Sequence, residues 1–100
     1  MRRGTTPTHI FMTAVDLSSA TVLYVTYKQL GRIVIEKSLE DGIALATDHI
    51  EVPITQEETL GLNPDAKVYI QVRAGFSNGA RVASRVICTT VGDILKDGEI

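Results

Sequence analysis

Short runs rich in β-branched and aromatic residues recur along this chain at roughly ten-residue intervals, each closed by a turn-forming cluster. That spacing leaves little choice of architecture. A strand so short exposes an apolar face and must bury it against a second layer. The clearest run, Ala20 to Lys28, places Leu23, Val25 and Tyr27 on one face and Val22, Tyr24 and Thr26 on the other. Both faces are partly apolar, so this strand is predicted to be central, or covered on its outer side. Gln29-Leu30-Gly31 forms a short turn, and Arg32 to Lys37 returns as the second arm of a hairpin.

Further segments repeat the pattern. Thr8 to Thr13 reads as a first strand, with Asp16-Leu17-Ser18-Ser19 as the turn after it. Glu40-Asp41-Gly42 marks another turn, and Ile43 to Leu45 a short strand. His49 to Ile54 alternates, with Ile50, Val52 and Ile54 inward and Glu51 and Pro53 outward. Pro53 makes this an edge strand or marks its end, because proline brings no amide to the ladder. Lys67 to Arg73 sets Val68, Ile70 and Val72 against Tyr69, Gln71 and Arg73. Ser77-Asn78-Gly79 is the best hairpin turn, since Asn-Gly accepts positive φ at both central positions. Arg81 to Val91 closes the sheet. The strong helix signal is confined to Thr55–Gly61. Thr55 caps, Glu58 sits three residues on, Glu57 and Glu58 complement the positive end of the dipole, and Gly61 stops a single turn. Leu60 and Leu62 are expected to plug the base of the core. The fold class is therefore all-β. We expect an immunoglobulin-like antiparallel β-sandwich of about seven strands, with one short helical turn near 55–61, occupying residues 1–100 as a single domain. The Cys…Trp…Cys hallmark of antibody domains is missing, since the chain has one Cys and no Trp.

The two ends read differently from the body. Residues 1–7 resemble an extended N-terminal arm, because Pro7 biases Thr6 towards extended backbone. Residues 93–100 form a polar C-terminal tail. An extended arm can add a strand to a neighbour's open edge, and symmetric assemblies reuse one such contact many times. Thr5, Thr6, Pro7 and Thr8 are the candidate assembly contacts of the arm, and Ile94, Leu95 and Ile100 those of the tail. The plainer alternative is that both ends are disordered.

Composition narrows the chemistry. A chain of 100 residues buries about two-thirds of the surface its unfolded form exposes, enough for one core but little for a deep active site. Hydrophobic residues at 44% and charged residues at 22% argue against wholesale disorder. The net charge of -2, with scattered Lys and Arg, gives no basic footprint for nucleic acid. Tyr24, Tyr27, Tyr69 and Phe76 beside Arg73 and Arg85 could stack bases, but ordinary strand packing explains them more simply. No segment approaches the roughly 20 apolar residues of a membrane helix, and no apolar stretch follows Arg2 and Arg3 as in a secretory signal. Cys88 stands alone, so an intramolecular disulfide and a Cys-based zinc site are excluded. It fits a reducing cytoplasm, and within Val86-Ile87-Cys88 it reads as a small buried hydrophobe. His9 and His49 stand in no nucleophile motif. His49 and Glu51 share a strand face, but two ligands are too few for zinc. Glu57-Glu58 and Glu40-Asp41 are explained as helix-start and turn chemistry. Asp93, Asp97 and Glu99 miss the EF-hand order, and Gly75 and Gly79 flank a hairpin rather than a phosphate. The reading is a non-enzyme with no catalytic, cofactor or metal residues.

Several stretches carry a family likeness: Arg3-Gly4-Thr5-Thr6-Pro7-Thr8, Val25-Thr26-Tyr27, Ile54 to Leu60, and Val68 to Arg73. Together they resemble small proteins encoded in prophages of Gram-positive gut bacteria. The strand, capped turn and strand around Thr55–Leu60 are similar to the N-terminal β-sandwich domains of phage baseplate proteins. The resemblance implies an immunoglobulin-like sandwich with a structural or virion-assembly role in tail or baseplate. Its partners would be other phage structural proteins or copies of itself, without nucleic acid or membrane. Its location would be the host cytoplasm during assembly and then the virion. The alternative is a small ligand- or carbohydrate-binding module, which the absence of Trp disfavours.

Overall fold

Two antiparallel sheets organise the chain. The structure, a computed structural model, describes residues 1–100. Strands β1 (Thr8–Met12), β5 (His49–Pro53) and β4 (Ala44–Leu45) form a three-stranded sheet with β5 in the middle. The second sheet runs β3 (Arg32–Ser38), β2 (Val22–Gln29), β6 (Val68–Gly75), β7 (Arg81–Ala83), and β8 (Ile87–Thr89) also pairs with β6. Lettered in chain order from B, with β7 and β8 sharing G, the sheets are B-E-D and C′-C-F-G. That is the immunoglobulin-like arrangement without a strand A beside β1.

Alternation builds the core. Leu23, Val25 and Tyr27 of β2 face Ile50 and Val52 of β5, and Val68, Ile70 and Val72 of β6 complete the layer. Each apolar side chain withdrawn from water here contributes roughly 1.5–3 kcal/mol. β2 lies between β3 and β6, which explains why both its faces are rich in β-branched and aromatic residues. Pro53 ends β5 rather than placing it at an edge. β5 is flanked on both sides, and Pro53 is its last residue. The capped turn forms as predicted. α1 (Gln56–Leu60) has the Thr55 Oγ1 accepting from the Glu58 amide at 3.1 Å, and the Glu58 carboxylate accepting from the Thr55 amide at 2.9 Å. Leu62 is buried, but Thr59, not Leu60, is the fully buried residue of this turn.

The two hairpins exchange the roles expected of them. Gln29 is not a turn residue; it is buried at the end of β2, where its amide bridges Asn63 and Ala66. The turn is the pair Leu30-Gly31 alone, with φ of 51° and 75°. Both central residues are left-handed, as a two-residue type I′ turn demands. At the other hairpin only Gly79 is left-handed, at φ 89°. Three residues separate the hydrogen-bonded pair Phe76 and Ala80, so one glycine suffices and Asn78 instead accepts from the Ala80 amide through its side chain. The closing segment Arg81–Val91 is two strands rather than one. Ser84 interrupts it, its hydroxyl and amide both engaging Val72, and Arg85 and Val86 bulge outward.

Candidate interaction site

Neither chain end is a free arm. The N-terminal segment runs parallel to the segment after β8: Gly92 N donates to Met1 O at 2.7 Å, and Arg3 N donates to Gly92 O at 2.9 Å. Pro7 O accepts from the Ile54 amide, and Thr5 O from the buried Thr59 hydroxyl at 2.8 Å. Thr6 is exposed, and Thr8 begins β1 opposite Pro53. Arg3 gathers the tail, reaching Asp93 at 2.9 Å, Asp97 at 3.2 Å and the Leu60 carbonyl at 2.9 Å. Ile94 packs over Gly4, which holds φ +72° and whose missing Cβ would fall 2.8 Å from Ile94 Cδ1. Of the predicted tail contacts, Ile94 alone is seated. Leu95 and Ile100 are essentially fully exposed, at 107% and 96%.

The opening of the sandwich lies elsewhere. A groove of about 280 Å³ runs between β1 with the loop after it and the β7–β8 segment. Phe11, Leu17, Val72, Val82 and Ile87 form its apolar floor, and Met12 and Val15 its exposed rim. This volume falls just below the roughly 300–1,000 Å³ of small-molecule sites. The groove follows from the missing strand A. β1 pairs only with β5, and β7 and β8 only with β6. The register β1–β5 directs the backbone of odd-numbered residues into the sheet, as the bonds from Ile54 N to Pro7 O and from Thr13 N to Asp48 O show. By alternation the amide and carbonyl groups of Thr8, Ile10 and Met12 face the open side. Three polar residues sit among the apolar lining: Thr13, whose hydroxyl is buried with no partner in this chain, Ser84, whose hydroxyl accepts from the Val72 amide, and Arg85.

The remaining candidates from the sequence are scattered. His49 Nδ1 lies 2.7 Å from Asp48 and its Nε2 3.5 Å from Glu51, on the outer face of the smaller sheet. The hydrogen bond to Asp48 raises the His49 pKa above its ordinary value. His9 points the other way, into the sandwich, with Nδ1 2.7 Å from the Tyr27 hydroxyl. Burial holds its pKa below the ordinary value, and the N-terminal charge adds to this. Glu58 finishes the helix cap and pairs with the buried Lys37 at 2.8 Å through the same oxygen. Glu40-Asp41 is turn chemistry, as expected: Asp41 accepts from the Ser38 amide. Cys88 is exposed rather than buried. It pairs with the outward Tyr69, while its neighbours Ile87 and Thr89 turn inward. Of the proposed stacking residues, Tyr24 and Tyr69 are exposed on the outer face, Tyr27 is fully buried and Phe76 is half-buried.

Thr13, Val82 and Ile87 were not among the sequence candidates, and Arg85 was considered only as a neighbour of base-stacking aromatics. The sequence carries a weak signal for them in the break of alternation at Ser84-Arg85-Val86, but the groove itself joins segments about seventy positions apart and depends on which sheet each strand enters. No helix is long and apolar enough to cross a membrane. Comparison of the chain with protein-family models, with curated proteins and with solved structures finds no match.

Proposed function

We propose that this chain is a structural or virion-assembly protein of a phage or prophage, a tail or baseplate component acting through protein–protein contacts. The observation that carries the assembly reading is the unpaired β1 edge beside an apolar groove. An open edge offers backbone hydrogen bonds to an extended segment, and alternate side chains of that segment can enter the groove. The resemblance of Ile54–Leu60 and Val68–Arg73 to baseplate sandwich domains supplies the virion context. The partners are then other virion proteins or further copies of the chain, and its location is the host cytoplasm followed by the particle.

The test is mass spectrometry of purified particles induced from a strain carrying the gene, with electron microscopy of particles from a deletion strain. Stoichiometric presence in the particle, with defective tails on deletion, is the expected result. Normal particles that lack the chain would overturn the reading.

A carbohydrate-binding reading has one observation in its favour, the exposure of Tyr24 and Tyr69 on the outer face of the larger sheet. They lie in different cross-strand rows, with Tyr24 opposite Arg73 and Tyr69 opposite Lys28, so they do not form a continuous platform. Binding on a glycan array that is lost in Tyr24→Ala would favour it over assembly.

A further inference from the structure

We infer that the groove between β1 and β7–β8 accepts the Leu95–Ile100 segment of a second copy of this chain. The inference rests on the assembly reading above and specifies its contact.

Three observations select this occupant. The first is charge. Arg85 is the charged residue lining the groove, and it pairs with no carboxylate in its own chain. The segment Leu95–Ile100 carries Asp97 and Glu99 against one Lys96, so its net charge is opposite. The second is apolar match. Leu95 and Ile100 are the most exposed of the large apolar side chains, and the groove floor is apolar. Transferring them would remove apolar surface from water on both partners. The third is unused bonding capacity. The outward backbone groups of Thr8, Ile10 and Met12 and the buried Thr13 hydroxyl have no partner within the chain, and an added strand brings the donors and acceptors they lack.

Placement makes the contact head-to-tail. The tail is held where Pro7 meets Ile54, by Arg3 and by the bond from Ile100 N to Gln56 Oε1 at 3.3 Å. The groove opens towards the other end, where β1 runs out at Met12 and the chain turns through Val15 and Leu17. The body is elongated, 47 × 26 × 18 Å. A contact between unlike patches at opposite ends repeats as a ring or a filament rather than closing as a two-fold dimer. Seating the segment in a neighbour exchanges the Arg3–Asp97 pair and the Ile100–Gln56 bond for contacts in the groove, and leaves Arg3–Asp93 and the packing of Ile94 on Gly4 in place.

Paired cysteine variants of the full chain test this. One chain carries Cys88→Ser with Val15→Cys, the other Cys88→Ser with Leu95→Cys; both new positions are exposed, so the core is untouched. On mixing under mild oxidation, the mixed disulfide is expected to exceed either same-variant dimer. Light scattering of the parent chain is expected to show association growing with concentration. Arg85→Glu should raise the concentration for half-association by about tenfold, as for one interfacial charge pair, and Glu99→Arg on the partner should recover part of that loss. A strictly monomeric parent chain overturns the inference. So does a mixed disulfide no more abundant than the same-variant products, or closure within one chain when both cysteines are placed together. If the parent oligomerises but ignores both Arg85→Glu and the cysteine positions, this seating fails while the assembly reading stands. The assembly reading falls separately, by absence of the chain from purified particles.

Discussion

One oxygen of Glu58 serves two elements, closing the cap of α1 and neutralising the buried ammonium of Lys37 on β3. Burial pulls the Glu58 carboxyl upward, but the Lys37 and Thr55 hydrogen bonds outweigh it and hold its pKa below the ordinary 4.5. A carboxyl so depressed contributes stability at neutral pH that is lost as pH falls through its folded value. Glu58→Ala leaves Lys37 buried without its anion and is expected to cost about 2–3 kcal/mol in chemical denaturation. The double change Lys37→Met with Glu58→Gln should recover most of that. The two histidines have opposite signs. His9, depressed by burial, disfavours the folded state progressively as pH falls below 6.5, since the unfolded chain takes a proton the core resists. His49, raised by Asp48, supports the fold below 6.5 and loses that support as pH rises through its folded value. His49→Asn is therefore expected to unmask a fall in melting temperature between pH 7 and 5, and His9→Asn a rise over the same range.

Within single elements, local rules of alternation and capping were readable in the sequence, and rules of register were not. Ile50, Val52 and Ile54, and Val68, Ile70 and Val72, declare their faces through period two, and the structure buries every one of them. Thr55 and Glu58 declare the capped turn through a spacing of three. Cys88 and Lys37 could not be placed the same way. Whether each faces in or out is set by its pairing with Tyr69 and Val25, and a slip of one residue reverses it. The hairpin turns failed for a related reason. Loop length, which selects the turn type, depends on where pairing stops, and Gln29 proved to be paired. Leu30 now carries a left-handed φ of 51° that a side chain resists. Leu30→Asn is expected to stabilise the protein by about 0.5–1 kcal/mol, because asparagine tolerates that conformation. The measurement is the shift in denaturation midpoint at unchanged slope.

At the scale of the whole molecule, the fold and its core were legible, whereas the groove and the seating of the ends were not. Both of the latter join segments remote in sequence: Phe11 and Ile87 line one groove, and Met1 bonds to Gly92. Thr59 links this scale to the previous one, since its buried hydroxyl holds the Thr5 carbonyl. Thr59→Val keeps the shape, removes that bond, and is expected to cost about 1 kcal/mol. Faster amide exchange confined to residues 1–7 and 92–94 would mark the same loss locally. The parallel course of Met1–Arg3 beside Gly92 also gives the molecule a mechanical property. Tension drawn through the two ends of the chain would pull these neighbouring segments past each other, so their bonds would bear the load together instead of opening one after another. In a component that transmits force along a row of copies, this terminal clasp is the place where extension would be resisted first.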